Sequence, residues 1–149
     1  MTNQELILLP ALALVLLTFV VVARLIITRI GELRARRIRP QELATRAGAA
    51  ATLESSVVAA DNFMNLFEMP VLFYFLVTLL YSAGLVDRGY MTLAIVYVAL
   101  RYLHSIIHVT YNRVMHRFYA YALSVLVLAA MWVRFGWQLI ELLQLNARV

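Results

Sequence analysis

Long uncharged stretches alternate with short polar ones along this chain, and that pattern predicts four membrane-spanning helices. A helix needs about 20 predominantly apolar residues to cross the hydrocarbon core. The first run covers about 6–27, and Leu6 to Ala23 carries no charge. The second covers about 57–85; its outer part, Met69 to Val86, is uncharged, whereas Asp61, Asn62, Asn65 and Glu68 interrupt its inner part. The third covers about 91–111 and the fourth about 117–139, with so short a connection that they read as a tight antiparallel pair. A polar loop over about 28–56 separates the first two. Spans and connections use the whole chain, which predicts one all-α integral membrane domain, a four-transmembrane-helix bundle.

Composition supports the bilayer as the solvent. Of 149 residues, 64% are hydrophobic, against about 45–50% in soluble domains. Mean hydropathy is +0.83. The N-terminal decapeptide MTNQELILLP lacks the basic stretch of a signal peptide, so the first apolar run reads as a retained span. The net charge is +5 and every basic side chain is arginine. Arg29, Arg34, Arg36, Arg37, Arg39 and Arg46 crowd the first loop. By the positive-inside rule that loop and the third are cytoplasmic, and both termini lie outside. The charge is therefore read as topology, not as a nucleic-acid surface. Part of the loop could lie on the membrane as an amphipathic helix. Trp132 and Trp137 flank Arg134 near the outer end of span four, as an interfacial belt would. There is no cysteine, so any thiol chemistry needs sulfur from a substrate or cofactor.

Polar residues inside the spans are the candidates for function, because each costs free energy in the bilayer and must be compensated. On span two, Asp61, Asn65 and Glu68 fall at i, i+4, i+7, one helical face, with Pro70 just beyond. A polar seam between helices is the structural alternative. On span three, Arg101, His104 and His108 fall at i, i+3, i+7. Two histidines at i, i+4 can hold a metal with a carboxylate such as Glu68, but HExxH is absent and no metal ligand is assigned. For His108, snorkelling to the inner interface is the simpler account. Arg117 opens span four, where a cation opposes the helix dipole; it is either a topology residue or held by an anion. All three groups lie toward the cytoplasmic half. Together they suit a small zwitterionic or polyanionic ligand entering from that side, with guanidinium groups on its carboxylates and on a thiolate.

Two segments, NFMNLFEMPVLFYFL (62–76) and RYLHSIIHVTYNRVMHR (101–117), resemble the MAPEG family, the membrane-associated proteins in eicosanoid and glutathione metabolism. The first is similar to its Asn, Glu and Pro pattern on span two; in the second, Arg101, His104, His108 and Arg117 fit its spacing. The resemblance, closest to the bacterial-type branch, spans nearly the whole chain. It implies a homotrimer that binds glutathione between subunits. Asn65 and Glu68 would contact glutathione, with Arg101, His104 and His108 in the same site. Arg117 would activate the thiol for conjugation, peroxide reduction or isomerisation of a lipophilic substrate reached from the bilayer. The chain departs from the eicosanoid enzymes where an arginine precedes the span-two asparagine, since Asp61 and Met64 stand at the candidate positions. His108 replaces a tyrosine, and the step from Glu68 to Pro70 is shorter. A lost arginine and a gained carboxylate disfavour an anionic ligand. The alternative is therefore a non-catalytic MAPEG-like membrane protein that binds lipid or serves as a partner subunit. The expected location is the bacterial inner membrane.

Overall fold

A computed structural model describes residues 2–43, 45, 48, 53 and 55–147. Arg46 lies outside the described residues. Among those described, the chain is entirely helical: α1 (Asn3–Leu6), α2 (Leu8–Arg36), α3 (Ser55–Asn65), α4 (Met69–Ala83), α5 (Arg88–Val109) and α6 (Val114–Asn146), with a 3-10 turn at Pro40–Leu43. Four segments are long and apolar enough to cross a membrane: Asn3–Arg36, Ser56–Ala83, Arg88–Val109 and Val114–Leu145.

Helix α2 does not stop at the inner membrane boundary expected near residue 27. It runs to Arg36 and ends where Arg37 turns left-handed at φ 56°, the Ile38 N–H bonding the Leu33 carbonyl at 3.1 Å. The arginine-rich segment contains no helix breaker before Pro40, so the helix continues into it. On this extension Glu32 accepts the Ser56 N–H at 3.0 Å and so satisfies an open donor at the start of α3.

Span two is not one helix. It breaks after Asn65 and restarts at Met69. Pro70 has no N–H to give the carbonyl four residues back and fits the first turn of a new helix. Leu66 and Phe67 close the first segment with bonds to Phe63 and Met64. The break falls near the middle of the Ser56–Ala83 span, beside the polar residues that interrupt it.

The core runs down the bundle axis through Leu14, Leu17 and Val21 of α2, Phe73, Leu76 and Leu80 of α4, Tyr97 of α5, and Met131 of α6. Phe73 and Tyr97 stack with ring centres 4.5 Å apart. Polar bonds fasten both ends. At the end of the bundle that holds the N-terminal helix, Gln4 donates to the Leu80 and Tyr81 carbonyls and accepts the Val86 N–H. Arg134 pairs with Asp87, the N-cap of α5, whose carboxylate also accepts the Tyr90 N–H. Partial burial pushes the Asp87 carboxyl up. Bonds from the Tyr90 N–H and Arg134 outweigh that and hold it below its ordinary 3.8. Trp132 faces inward onto Phe75 and Phe135, so of the two tryptophans only Trp137 is exposed. Midway, Tyr102 donates to the Ala13 carbonyl at 2.7 Å, and at the inner end Arg24 donates to the Val109 carbonyl at 3.0 Å.

Candidate functional site

Helices α5 and α6 meet through the short turn at 110–113, which sets the C-terminal half of α5 beside the first turns of α6. In that turn Asn112 is left-handed at φ 44°, a conformation that asparagine tolerates better than most residues. The result is a cleft of about 230 Å³, open to one side and lined by Asn65, His104, Val114, Arg117, Phe118 and Tyr121.

Arg117 is half-buried on its wall. Its Nη1 donates to His108 Nε2 and to Asn112 Oδ1, each at 2.9 Å. A guanidinium can only donate, so the bonded imidazole nitrogen carries a lone pair and the proton of neutral His108 sits on Nδ1. His104 Nδ1 donates to the Arg117 carbonyl at 3.1 Å, since a carbonyl can only accept. That leaves His104 Nε2 buried with an open lone pair. Both histidines are buried, and His108 does not snorkel. Their rings meet edge-on, centres 5.8 Å apart. No group of three His, Asp or Glu side chains converges among the described residues.

Of the sequence-identified residues, Arg117, His104 and Asn65 line the cleft, and His108 supports it from behind. Arg101 is not on the cleft surface. It is fully buried; its Nε donates to Tyr97 Oη at 3.2 Å and its guanidinium lies 4.8 Å from the Tyr121 ring centre. Nη1 and Nη2 have no hydrogen-bond partner among the described residues. Glu68 is also absent from the cleft lining. It caps the start of α4 without a side-chain bond and points outward, as Asp61 does. Asp61 and Glu68 therefore present their carboxylates on the outer face of span two, and Asn65 links that face to the cleft. Asn62, fully buried, turns inward and accepts the Ser105 hydroxyl at 3.1 Å.

Three residues of the site went unrecognised in the sequence. Tyr121 separates Arg101 from the cleft and contacts the His104 ring at 5.7 Å. Its signal was present: it lies four residues after Arg117, on the same helical face. Asn112 and Ser105 gave no such signal, because a turn residue and a helix serine become informative only once their partners are placed.

A second recess, of about 370 Å³, is apolar. Val15, Phe19 and Val22 of α2 line it with Phe63, Phe67 and Tyr74 of span two. It lies on the opposite flank of α3 from Asn65.

No curated protein and no solved structure matches the chain to a significant degree. A model of the MAPEG family matches residues 7–137, most of the chain, and the protein belongs to that family.

Proposed function

We propose that this MAPEG protein is a membrane-embedded, glutathione-dependent transferase or peroxidase-like enzyme acting on a lipophilic electrophile or peroxide. The family includes such enzymes as well as non-catalytic members, and glutathione is its common cofactor. The observation that carries the reading is Arg117, a guanidinium anchored through Nη1 on the wall of a cleft that mixes polar Asn65, His104 and Tyr121 with apolar Val114 and Phe118 inside a membrane bundle. A cation at that place favours a thiolate over a thiol and raises the nucleophilic fraction at neutral pH. The chain has no cysteine, so the sulfur comes with the cofactor.

In this reading Arg117 is the catalytic residue and Asn65 and Glu68 bind glutathione. His104 lines the cleft with Arg117 and Asn65, its ring held by the bond from Nδ1 to the Arg117 carbonyl. Arg101 and His108 hold the walls: Arg101 through Tyr97 and Tyr121, His108 through Arg117. Bound there, glutathione would supply a thiolate nucleophile for conjugation with an electrophile or for two-electron reduction of a peroxide, and Arg117 would stabilise its charge.

The single chain does not close this site. Glu68 sits near the middle of a membrane span with its carboxylate outward, and a charge facing lipid there is costly. A neighbouring subunit covering the face from Asp61 to Glu68 removes that cost and shuts the cleft. A homotrimer with glutathione between subunits fits this need, and lipophilic substrate enters from the bilayer. The domain is the single four-helix bundle, set in the bacterial inner membrane with both termini outside and the first and third loops cytoplasmic.

One observation favours a second reading. Asp61 adds a carboxylate to the face that would meet an anionic ligand. A non-catalytic member that binds lipid or a partner subunit accommodates it. The experiment that separates the two is the ultraviolet absorbance of bound thiolate when glutathione is added to the purified protein, with Arg117→Ala as control. A signal that vanishes in the variant supports the enzyme; no signal in either protein supports the non-catalytic reading.

A further inference from the structure

The Arg117 guanidinium is clamped by two acceptors that both come from the end of span three. His108 is the next-to-last residue of α5, and Asn112 Oδ1 projects from the turn that follows. The Asn112 N–H bonds the Ile107 carbonyl at 2.8 Å, which fixes the turn and with it the direction of the side chain. Both bonds use Nη1, and no other nitrogen of the guanidinium bonds a described residue.

An imidazole nitrogen accepts a hydrogen bond only while it carries a lone pair, and a guanidinium does not give up its proton in a protein. The 2.9 Å contact therefore exists only with neutral His108. We propose that His108 and Asn112 are positioning residues for Arg117, and that a proton on His108 Nε2 releases the guanidinium from its place on the cleft wall. Acid thereby switches the site off. The proposal rests on the role given to Arg117 above, and extends it to the control of that residue.

Protonation would set two donors and two cations against each other at hydrogen-bond distance, leaving Asn112 as the one remaining acceptor. His108 is 1% exposed, so no bulk water replaces the lost bond. The groups facing His108 give little to offset this. On its own helix stand His104, ring centres 5.8 Å away, and Arg101 two turns along. Helix α6 contributes Arg117 itself. Helix α2 contributes Arg24, which bonds the Val109 carbonyl next in the chain. Helix α3 contributes the one anion, Asp61, and that carboxylate is exposed on the outer face. A tyrosine at position 108 offers no ring nitrogen to take the proton; a histidine does.

Nitrogen-15 spectra of the full-length protein in nanodiscs, labelled at histidine and arginine, test the clamp without any ligand. At neutral pH His108 Nε2 should resonate as an unprotonated nitrogen. On acidification the Arg117 side-chain signal should move with the His108 midpoint. With glutathione added, the thiolate absorbance should be lost at a higher pH in the wild type than in His108→Gln, because the thiol's own titration is common to both and only the wild type also loses its clamp. His108→Gln keeps an acceptor that cannot titrate, so its Arg117 signal should stay fixed on acidification. His108→Phe and Asn112→Ala each remove one acceptor and should lower the thiolate signal at every pH. An Arg117 signal that stays fixed while His108 titrates overturns the proposal, as does a His108→Gln protein with the wild-type acid response. If Arg117 tracks His108 but no thiolate forms at any pH, the glutathione reading falls and the clamp stands.

Discussion

The guanidinium carbon of Arg101 stands 4.8 Å from the centre of the Tyr121 ring, so a fully buried cation backs directly onto the cleft wall. Tyr97 flanks it on the other side at 5.5 Å. With two of its nitrogens unpartnered, Arg101 depends on these ring faces. Desolvated cation–π contacts are worth about 0.5–2 kcal/mol. A double-mutant cycle of Arg101→Gln and Tyr121→Leu, read by unfolding in detergent, should return a coupling of about that size. Tyr121→Phe should preserve it, because the ring rather than the hydroxyl makes the contact. Additive single effects would mean that Arg101 and Tyr121 are independent.

Asp87 and Arg134 join the start of α5 to the C-terminal half of α6. Because the folded carboxyl titrates below its ordinary 3.8, its contribution to stability is complete above the unfolded value. It is lost as pH falls through the lower folded value. The stability difference between wild type and Asp87→Asn should therefore hold at neutral pH and vanish in strong acid. Both side chains are about a third or more exposed, so solvent screening keeps the difference within about 1 kcal/mol. Asp87→Ala also loses the N-cap bond to Tyr90 and should cost about 1 kcal/mol beyond that. Thermal unfolding across a pH series measures both; a difference between wild type and Asp87→Asn that persists below the folded pKa would contradict the pairing.

The four apolar segments were legible because bilayer thickness imposes their length, and the inner cluster was legible because each polar residue there breaks an uncharged run. The break in span two was only half visible. Pro70 marked it, but the sequence could not show that Leu66 to Glu68 leave the helix and turn Glu68 outward. Shared helical phase put Asp61, Asn65 and Glu68 on one face, yet the helix ends at Asn65, and phase gave no direction for that face relative to the core. Phase also grouped Arg101 with His104 and His108. What separates Arg101 from the cleft is Tyr121, a residue from another helix, and no pattern within span three encodes it. The continuation of α2 to Arg36 was missed because charge was read as loop, when charge alone does not end a helix.

Gln4 stitches α1 to the C-terminal end of α4. Its amide donates to the Leu80 and Tyr81 carbonyls, which also accept the backbone N–H groups that cap the helix, and accepts the Val86 N–H. Gln4→Ala should cost about 1 kcal/mol, the usual net value of such bonding. Gln4→Glu should cost more, because a carboxylate oxygen then faces the Leu80 and Tyr81 carbonyls with no proton between them. Tm values of the two variants in the same detergent decide the order; a glutamate variant as stable as wild type would exclude the amide as donor.

Asn65 and Glu68 differ in what a single subunit offers them. Asn65 lines the cleft, whereas the Glu68 side chain is exposed and makes no hydrogen bond with a described residue. Exposed substitutions away from such bonds usually change stability by about 0.5 kcal/mol or less. Glu68→Gln should therefore leave the Tm of ligand-free subunits nearly unchanged. If glutathione binds across subunits as proposed, the same change removes a carboxylate that meets the ligand. A ligand at a hundred times its Kd adds about 2.7 kcal/mol of stability to the protein it binds. The Tm rise on adding glutathione should then shrink in Glu68→Gln, and also in Asn65→Ala. A Glu68→Gln protein with a lowered ligand-free Tm but an undiminished glutathione response would assign this carboxylate to assembly instead of binding.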